Sequence, residues 1–424
     1  MNLREFVDLL AESGRLRTIS REVSPEYEVA ALMAQAGDTP LLFTNIAGSR
    51  MPAITNICAS RELVALGLDC DPSEIMQRIA TAGDAQAEVP RAEATGYREV
   101  EPTLAGLPIL THQKFDGGPY IASAIAAAHD GEHGLNLSYH RGMKLDDRRL
   151  VLRILPRNLE AYRQRGLKEF AFCNGVSVPV LLGAATSFGI DVSEMAIANA
   201  LGAAPLIEVG GHTVPQSELV MVCEFTGEMA DEGPFLDLTE TRDIVRSQPV
   251  VRLKRLFLRD DSIFHALLPG GPEHKVLMGM PREPTIFHAV SQVTDCVDVH
   301  VTPGGSSWLH AIVSIRPRTA GDGRKAIEAA FAGHASLKHV WVVNDDVDVR
   351  DRDMVEWAFA TRFQGDRDTV AFQSKGSSLD PSACVETRET CKQGFDCTIP
   401  DDRDAAHFAR TPPAMDVKLE DYLD

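Results

Sequence analysis

The sequence predicts a mixed α/β protein in three parts, with two α/β regions flanking a strand-rich centre. Three observations lead there. The chain has 424 residues, more than one hydrophobic core ordinarily serves, so two or three domains are expected. The apolar pattern changes twice: helix and strand signals alternate over the first hundred residues or so, short strand-like runs fill the middle, and alternation then resumes. The composition, 44% hydrophobic and 24% charged, is that of an ordinary globular protein. It leaves out collagen-like, disordered and disulfide-scaffold classes.

In chain order, Leu3, Phe6, Val7 and Leu10 follow helical spacing, with Gly14 placed as a C-cap. A second helical stretch from Glu26 to Gln35 leads into the apolar strand PLLFTNI, and RELVALGL and PSEIMQRIATA read as further helices. The polar, Glu-rich link QAEVPRAEATGYREVEP closes this region. The middle then shows RRLVLRIL, VSVPVLLGAA, APLIEVGG, ELVMVCEF, PVVRLKRLFL and SIFHALLP, punctuated by Gly-Gly at 117–118, 210–211 and 270–271. Such regular short strands predict a barrel or sandwich. Last come the strand SSWLHAIVSI, the helix GRKAIEAAFAG, the strand KHVWVVNDDVDV and the helix DRDMVEWAFATRF.

Lys and Arg number 42 against 61 Asp and Glu, a net charge of −19. That acidity excludes a generic binder of nucleic acid or anionic membrane, because no broad basic face is available. From Asp345 to Asp424 there are 19 acidic and 10 basic residues, which reads as a solvated, solubilising C-terminal region. An anionic ligand would therefore need cations that are local and deliberately placed. The eight cysteines form no CxxC pair and match no zinc spacing, as expected of a reducing compartment. The charged N-terminus resembles no signal peptide, and no apolar run reaches the length of a membrane span. A cytoplasmic protein is expected.

Two familiar patterns are set aside. His129-Asp130-Gly131-Glu132-His133 satisfies H-x-x-E-H, but that motif needs one helical face, whereas Asp-Gly signals a turn. GxGxxG, P-loop and GxSxG motifs are absent from the sequence, which argues against a Rossmann dinucleotide site, an NTPase and an α/β-hydrolase. Three other stretches could carry chemistry. Asn136 and Arg141 lie five apart at a strand-to-turn edge; Arg141 is either a surface arginine or, if buried, a bidentate clamp for carboxylate or phosphate. Gly233-Pro234 makes a turn between Glu232 and Asp237, which is either an ordinary acidic loop or two carboxylates aimed into one pocket. Two acids beside one arginine form a coupled set, one held as an anion and the other kept protonated. Glu194 follows Ser193 or Asp191 as a helix cap, a first-turn position that usually serves the helix dipole. Together with Asn136 it would also suit a hard cation such as Mg²⁺ or Mn²⁺.

Eight stretches now align with one family. LREFVDLLAESGRL, PLLFTNIAGS, FDGGPYI, NLSYHR, DEGPFLD, LLPGGPEHKVLMGMPRE, VVNDDVDVRDRDMVEWAFATR and CKQGFDCT occur in this order over nearly the whole chain. The sequence resembles the UbiD-type decarboxylases, which use prenylated FMN. The resemblance implies an N-terminal α/β domain (residues 1–105), a central flavin-binding split β-barrel (106–302) and a C-terminal α/β oligomerisation domain (303–424). It implies non-oxidative, reversible loss of CO₂ from an α,β-unsaturated or (hetero)aromatic acid, the modified flavin acting as electron sink. The family's Arg–acid–acid set falls on Arg141, Glu232 and Asp237, with Asp237 as proton donor and Arg141 and Glu232 positioning the carboxylate. Its metal-ligand asparagine falls on Asn136 and its ligand glutamate on Glu194. The segments from Tyr139 through His140 to Arg141, and Arg153, Ile154 and Leu155, match stretches that line the cofactor. Lys392 resembles a lysine that reaches the flavin phosphate.

One departure matters. The family's third metal ligand is usually a histidine, and Asn158 of Pro156-Arg157-Asn158-Leu159 stands in its place, offering a neutral oxygen and favouring harder ions. The resemblance further implies Mn²⁺ or Mg²⁺, with K⁺ left open, a homodimer or higher homo-oligomer, and a separate prenyltransferase that supplies the cofactor. Phe188, Ile190, Phe287 and Leu309 are candidate pocket walls. The open substrates are aryl or heteroaryl acids, polyketide-like enoic acids and small phosphorylated enoic acids. The competing readings are a split-barrel reductase on ordinary FMN, a non-catalytic flavin-binding protein and a structural protein.

Overall fold

The opening helix, Leu3–Glu12, starts where Asn2 and Glu5 form a reciprocal capping box, and it buries Leu3, Phe6, Val7 and Leu10. The computed structural model describes residues 1–84, 88–186, 192–411, 414–415 and 417–423. The helix ends at Ser13, one residue before Gly14, whose φ of 70° turns the chain away. Behind it lies a four-stranded sheet in the order Arg17–Ile19, Leu41–Phe43, Ala53–Thr55 and Phe264–His265. Its last strand thus returns from far along the chain.

A nine-stranded sheet forms the centre. Its order is Tyr120–Ile121, Gly142–Lys144, Arg149–Leu152, Arg246–Arg259, Ser217–Glu232, Glu169–Val176, Ile125–Asp130 and Gly134–Tyr139, and Tyr97–Val100 also pairs with Arg246–Arg259. Every pairing in it is antiparallel. Among the described residues its terminal strands do not pair with each other, so the sheet is open rather than a closed barrel. Two long strands, Ser217–Glu232 and Arg246–Arg259, form its spine, with Glu232 opposite Arg246. The short strands Phe235–Leu236 and Arg242–Asp243 pair within the connection between them.

One expected strand is a helix. Within VSVPVLLGAA, residues Val178–Ala185 are helical and all buried. A segment apolar on every side has no period to betray it, and Pro179 suits the first helical turn better than a central strand. It packs against the helix Glu194–Leu201, whose cap is Ser193, accepting from Ala196 N. The alternative cap, Asp191, and the wall candidates Phe188 and Ile190 lie outside the described residues. The H-x-x-E-H residues fall on a hairpin, between Ile125–Asp130 and Gly134–Tyr139, as Asp-Gly requires.

The C-terminal region is a five-stranded sheet in the order Asp295–Val301, His310–Arg316, His339–Asn344, Glu389–Cys397 and Thr369–Lys375. Its core gathers Ile286, Val290, Ile327 and Phe331 from the helices Glu283–Ser291 and Asp322–Gly333 against the strands. Phe287 packs onto this core and not beside the acids described below. The fold is thus mixed α/β. Among the described residues no helix is long and apolar enough to cross a membrane.

Candidate active site

The strand Gly134–Tyr139 delivers Arg141 just past its end, and the hairpin after Ser217–Glu232 delivers the acids. Glu232, fully buried, takes the guanidinium bidentately: Arg141 Nε donates to Oε1 at 2.9 Å and Nη2 to Oε2 at 3.0 Å. Arg141 Nη1 donates to Asp237 Oδ2 at 2.6 Å. A third carboxylate, Asp243, accepts from Nη2 at 2.8 Å and from Arg246 Nη1 at 2.7 Å. The planar fork suits such bidentate pairing. Phe235 lies 4.5 Å beneath the guanidinium carbon, a cation–π contact. Tyr120 donates its hydroxyl to Glu232 Oε1 at 3.1 Å.

The hairpin is held by close packing. Gly117, of FDGGPYI, donates its N–H to Pro234 O at 2.9 Å. A Cβ at that position would fall 2.3 Å from Gly233 O, so only glycine allows the approach. Asp237 Oδ1 accepts from Leu238 N at 2.7 Å, fixing its carboxyl.

The electrostatics follow from burial and pairing. Burial works against the Arg141 charge, but hydrogen bonding to Glu232 and attraction to Asp237 outweigh it and lock the guanidinium charged. Burial pushes the Asp243 carboxyl up; Arg246 and Arg141 overcome this and leave it below its usual range. Burial, then Glu232, drives the Tyr120 phenol well above its ordinary value. Arg153 is weakened by burial and by the neighbouring Arg246 and Arg141. His274, whose Nδ1 accepts from Gly270 N at 3.1 Å, is lowered by burial and lies within electrostatic reach of Asp237 and Arg141.

Asn136 and Glu194 also meet. Asn136 Nδ2 donates to Glu194 Oε1 at 2.9 Å and Leu137 N donates to Oε2 at 3.1 Å. Both side chains are buried, and burial pushes the Glu194 carboxyl up to about 7 despite these donors and its own backbone N–H. Ser138 Oγ lies 3.2 Å from Asn136 Oδ1 and 3.0 Å from His140 Nε2. His140 Nδ1 lies 3.0 Å from Arg153 O, and burial lowers the ring to about 4, so it is neutral. Asn136 and Ser138 alternate along the strand Gly134–Tyr139 and so share a face, and His140, just past its end, meets Ser138 on that side. Tyr139 points the other way, donating to Leu181 O at 3.1 Å.

Of the sequence candidates, the structure brings Arg141 to Glu232 and Asp237, and Asn136 to Glu194. Ile154 N donates to Gln248 Oε1 at 2.9 Å, and Leu155 is half-buried beside it. Asn158 opens the helix Asn158–Gln164 and makes no hydrogen bond to Asn136 or Glu194. Lys392 lies in the C-terminal sheet, 3% exposed, with Nζ donating to Ala335 O at 2.6 Å. Sequence reasoning missed Asp243, Tyr120 and His274. For Asp243 the available signal was its place in the same connection as the other two acids, six residues beyond Asp237.

Comparison with known proteins gives one family throughout. Residues 7–83 match the 3-octaprenyl-4-hydroxybenzoate carboxy-lyase N-terminal domain, residues 85–272 the Rift-related domain and residues 275–397 the C-terminal domain of UbiD. The chain is 40% identical to anhydromevalonate phosphate decarboxylase of Methanothermobacter thermautotrophicus, covering 94% of this chain and 97% of that one. It is 38% identical to the protein of that name from Methanosarcina mazei, over 94% and 96% of the two chains. Among solved structures, the UbiD-class enzyme HmfF of Pelotomaculum thermopropionicum, in complex with FMN, superposes with a TM-score of 0.94 at 33% identity over 100% of both chains. An evolved dimeric form of HmfF, in complex with prFMN, gives 0.90 at 31%, again over 100% of both chains. With all three family models matched in order along it, the chain belongs to the UbiD family and is a carboxy-lyase.

Proposed function

We propose that the chain catalyses the non-oxidative, reversible decarboxylation of a small α,β-unsaturated acid carrying a phosphate ester, using prenylated FMN. The class of reaction rests on one observation, the Arg141 guanidinium shared among Glu232, Asp237 and Asp243. Hydride transfer has no use for such a set, which counts against a reductase on ordinary FMN. The choice of a phosphorylated enoic acid over an aryl acid follows the relatives at 36–42% identity, which are anhydromevalonate phosphate decarboxylases.

The bound flavin supplies the electron sink for loss of CO₂; the side chains supply position and a proton. Arg141 has five N–H groups, of which four are donated within the cluster. The fifth, on Nη1 beside Asp237, is the handle for the substrate carboxylate. The proton comes from Asp237, the most exposed of the three acids at 16%. After CO₂ leaves, that proton goes to the substrate carbon. Glu232 holds Arg141 in plane.

Asn136 and Glu194 fit a divalent ion. A buried carboxylate whose partners are an amide and backbone N–H groups, with no cation among them, is short of positive charge, and an all-oxygen donor pair suits Mn²⁺ or Mg²⁺. Asn136 would present Oδ1 after turning its amide. Asn158 would join as a third oxygen, and the ion would neutralise the cofactor phosphate. We further assign residues 1–105, 106–302 and 303–424 to three domains, the middle one a split barrel, with self-association through the third. A separate prenyltransferase supplies the flavin. A cytoplasmic location is consistent with eight free cysteines.

The test is CO₂ release from a panel of acids by protein co-expressed with a flavin prenyltransferase, with deuterium incorporation into the product in D₂O. Turnover of the phosphorylated enoic acid with deuterium on the α-carbon is expected. No CO₂ from any acid, or reduction of an unmodified bound FMN by NAD(P)H, would overturn the reading.

A further inference from the structure

The turn that runs from His112 to Gly117, ahead of the strand Tyr120–Ile121, grips the acid-bearing hairpin at three successive residues. Gly117 N donates to Pro234 O at 2.9 Å. His112 meets the Phe235 ring edge-on at 6.3 Å between centroids. The backbone of Leu236 hydrogen-bonds the Asp116 carboxyl, and Asp237 is the next residue. The same carboxyl closes its own turn, since Asp116 Oδ2 accepts from His112 N at 3.0 Å and from Gln113 N at 2.9 Å. The His112 ring hydrogen-bonds the backbone of Leu267. Three residues on is Gly270, where a Cβ would come within 3.1 Å of Asp237 O. Asp237 is therefore bracketed from two sides by segments that Asp116 and His112 hold.

The two side chains also share an unmet need. They are 1% and 0% exposed, with His112 Nδ1 3.8 Å from Asp116 Oδ2. His112 Nδ1 and Asp116 Oδ1 are both buried without a hydrogen-bond partner. Because Nδ1 is unpartnered, the ring's donor to Leu267 is Nε2–H, and Nδ1 carries a lone pair. Two buried acceptors side by side are costly, and one proton between them satisfies both. Burial lowers the ring to about 4 against the Leu267 bond, so the ring is neutral and the proton belongs to Asp116. Burial likewise pushes the Asp116 carboxyl up, against the backbone donors of Gln113, His112 and Leu236 and the attraction of Arg141. The phenols of Tyr120 and Tyr27 also feel Asp116, and both are raised and neutral.

We infer that Asp116 is a positioning residue for the proton-transfer step, fixing Asp237 through the backbone of residues 234–236, and that it acts as a neutral acid hydrogen-bonded to His112 Nδ1. It works through the hairpin and not on the reacting atoms. The inference rests on the proposed role of Asp237. Three consecutive residues held from one turn keep the Asp237 carboxyl where Arg141 Nη1 meets it at 2.6 Å. Misplacing such a group by about 1 Å costs on the order of 10²-fold in rate.

The test compares Asp116→Asn with Asp116→Ser in the flavin-loaded protein. The amide has the shape of the neutral acid: its oxygen accepts from the backbone and its NH₂ donates to His112 Nδ1. Serine shortens the side chain, so it can cap its own turn but not reach Leu236 as well. Hydrogen exchange of peptides covering residues 233–238 reads the grip without turnover, with the strand His310–Arg316 as internal reference. Exchange should quicken by about tenfold or more in Asp116→Ser and stay within about threefold of wild type in Asp116→Asn. At the same time kcat per bound flavin should fall by about tenfold or more in Asp116→Ser with KM little changed, while Asp116→Asn keeps the wild-type kcat and pH profile. Wild-type exchange or wild-type kcat in Asp116→Ser would overturn the positioning role. An Asn variant as impaired as Ser, or with a displaced pH profile, would overturn the neutral acid. If Asp116→Ser does not fold, Asp116→Glu, which displaces the carboxyl by one methylene, is read against the same thresholds. A wild type that releases no CO₂ from any acid defeats the proposed decarboxylation, and the exchange measurement still decides the grip.

Discussion

Replacing Asp237 with Asn separates the proton-donor role from the structural one. Asp237 accepts two hydrogen bonds, from Arg141 Nη1 at 2.6 Å and from Leu238 N at 2.7 Å, one on each oxygen. An amide offers one acceptor oxygen, so Asp237→Asn keeps one of these bonds and sets an NH₂ against the other donor. For a side chain 16% exposed, that mismatch costs about 1 kcal/mol. In a chain this long it lowers Tm by only about 2–4 °C. The chemical loss is larger. An amide has no proton to give at neutral pH, and a positioned general acid contributes about 10²–10⁴-fold in rate, or about 2.7–5.5 kcal/mol of barrier. The assay is kcat from CO₂ release at measured flavin occupancy, with deuterium exchange into the product as a second readout. Both should fall together by at least a hundredfold while flavin content and Tm stay close to wild type. An Asp237→Asn enzyme with full flavin and kcat within about threefold of wild type would refute the reasoning, since nothing else about the site would have changed enough to compensate.

Three further outcomes follow. Arg141→Met leaves the fully buried Glu232 without its cation and should cost about 3–5 kcal/mol, read as a fall in the urea midpoint. A small surface-like loss would mean that Glu232 is compensated elsewhere. Asp243 is pushed up by burial and pulled below its usual value by Arg246 and Arg141. Its stabilisation is therefore present above the unfolded pKa of about 3.9 and lost as pH falls through the lower folded value. Wild type should lose more stability than Asp243→Asn on acidification below about pH 4, and the two should run parallel from pH 6 to 8. Glu194→Gln removes the charged oxygen donor and should weaken Mn²⁺ binding at least tenfold by direct titration; unchanged affinity would move the metal away from Asn136 and Glu194.

The sequence carried much of the fold and only part of the site. The helix Leu3–Glu12 was readable because its apolar residues keep a 3.6 period and its cap is local. The segment 178–185 was not, because a wholly buried stretch has no period and its helical state is decided by what packs around it. Arg141 and Glu232 could be named as the right chemical types, yet they meet across 91 residues. That meeting depends on strand order and register, which spacing does not encode; the family resemblance supplied it. Asp243 hides in a Thr-Glu-Thr-Arg-Asp run that looks like any solvated turn.

The hairpin that carries the acids also bears on the order of assembly. Glu232, Asp237 and Asp243 all sit in the one connection between the strands Ser217–Glu232 and Arg246–Arg259, a local contact that closes early. Arg141 arrives from about ninety residues upstream and only once the strands between are in register. Until then three like charges are crowded at a hairpin tip and resist closure, with Arg242 and Arg246 of the same stretch to relieve them in part. The same groups that organise the finished site therefore act as a brake on the chain that builds it. Moderate salt, which screens that repulsion at little cost to the buried pairs formed later, should speed refolding.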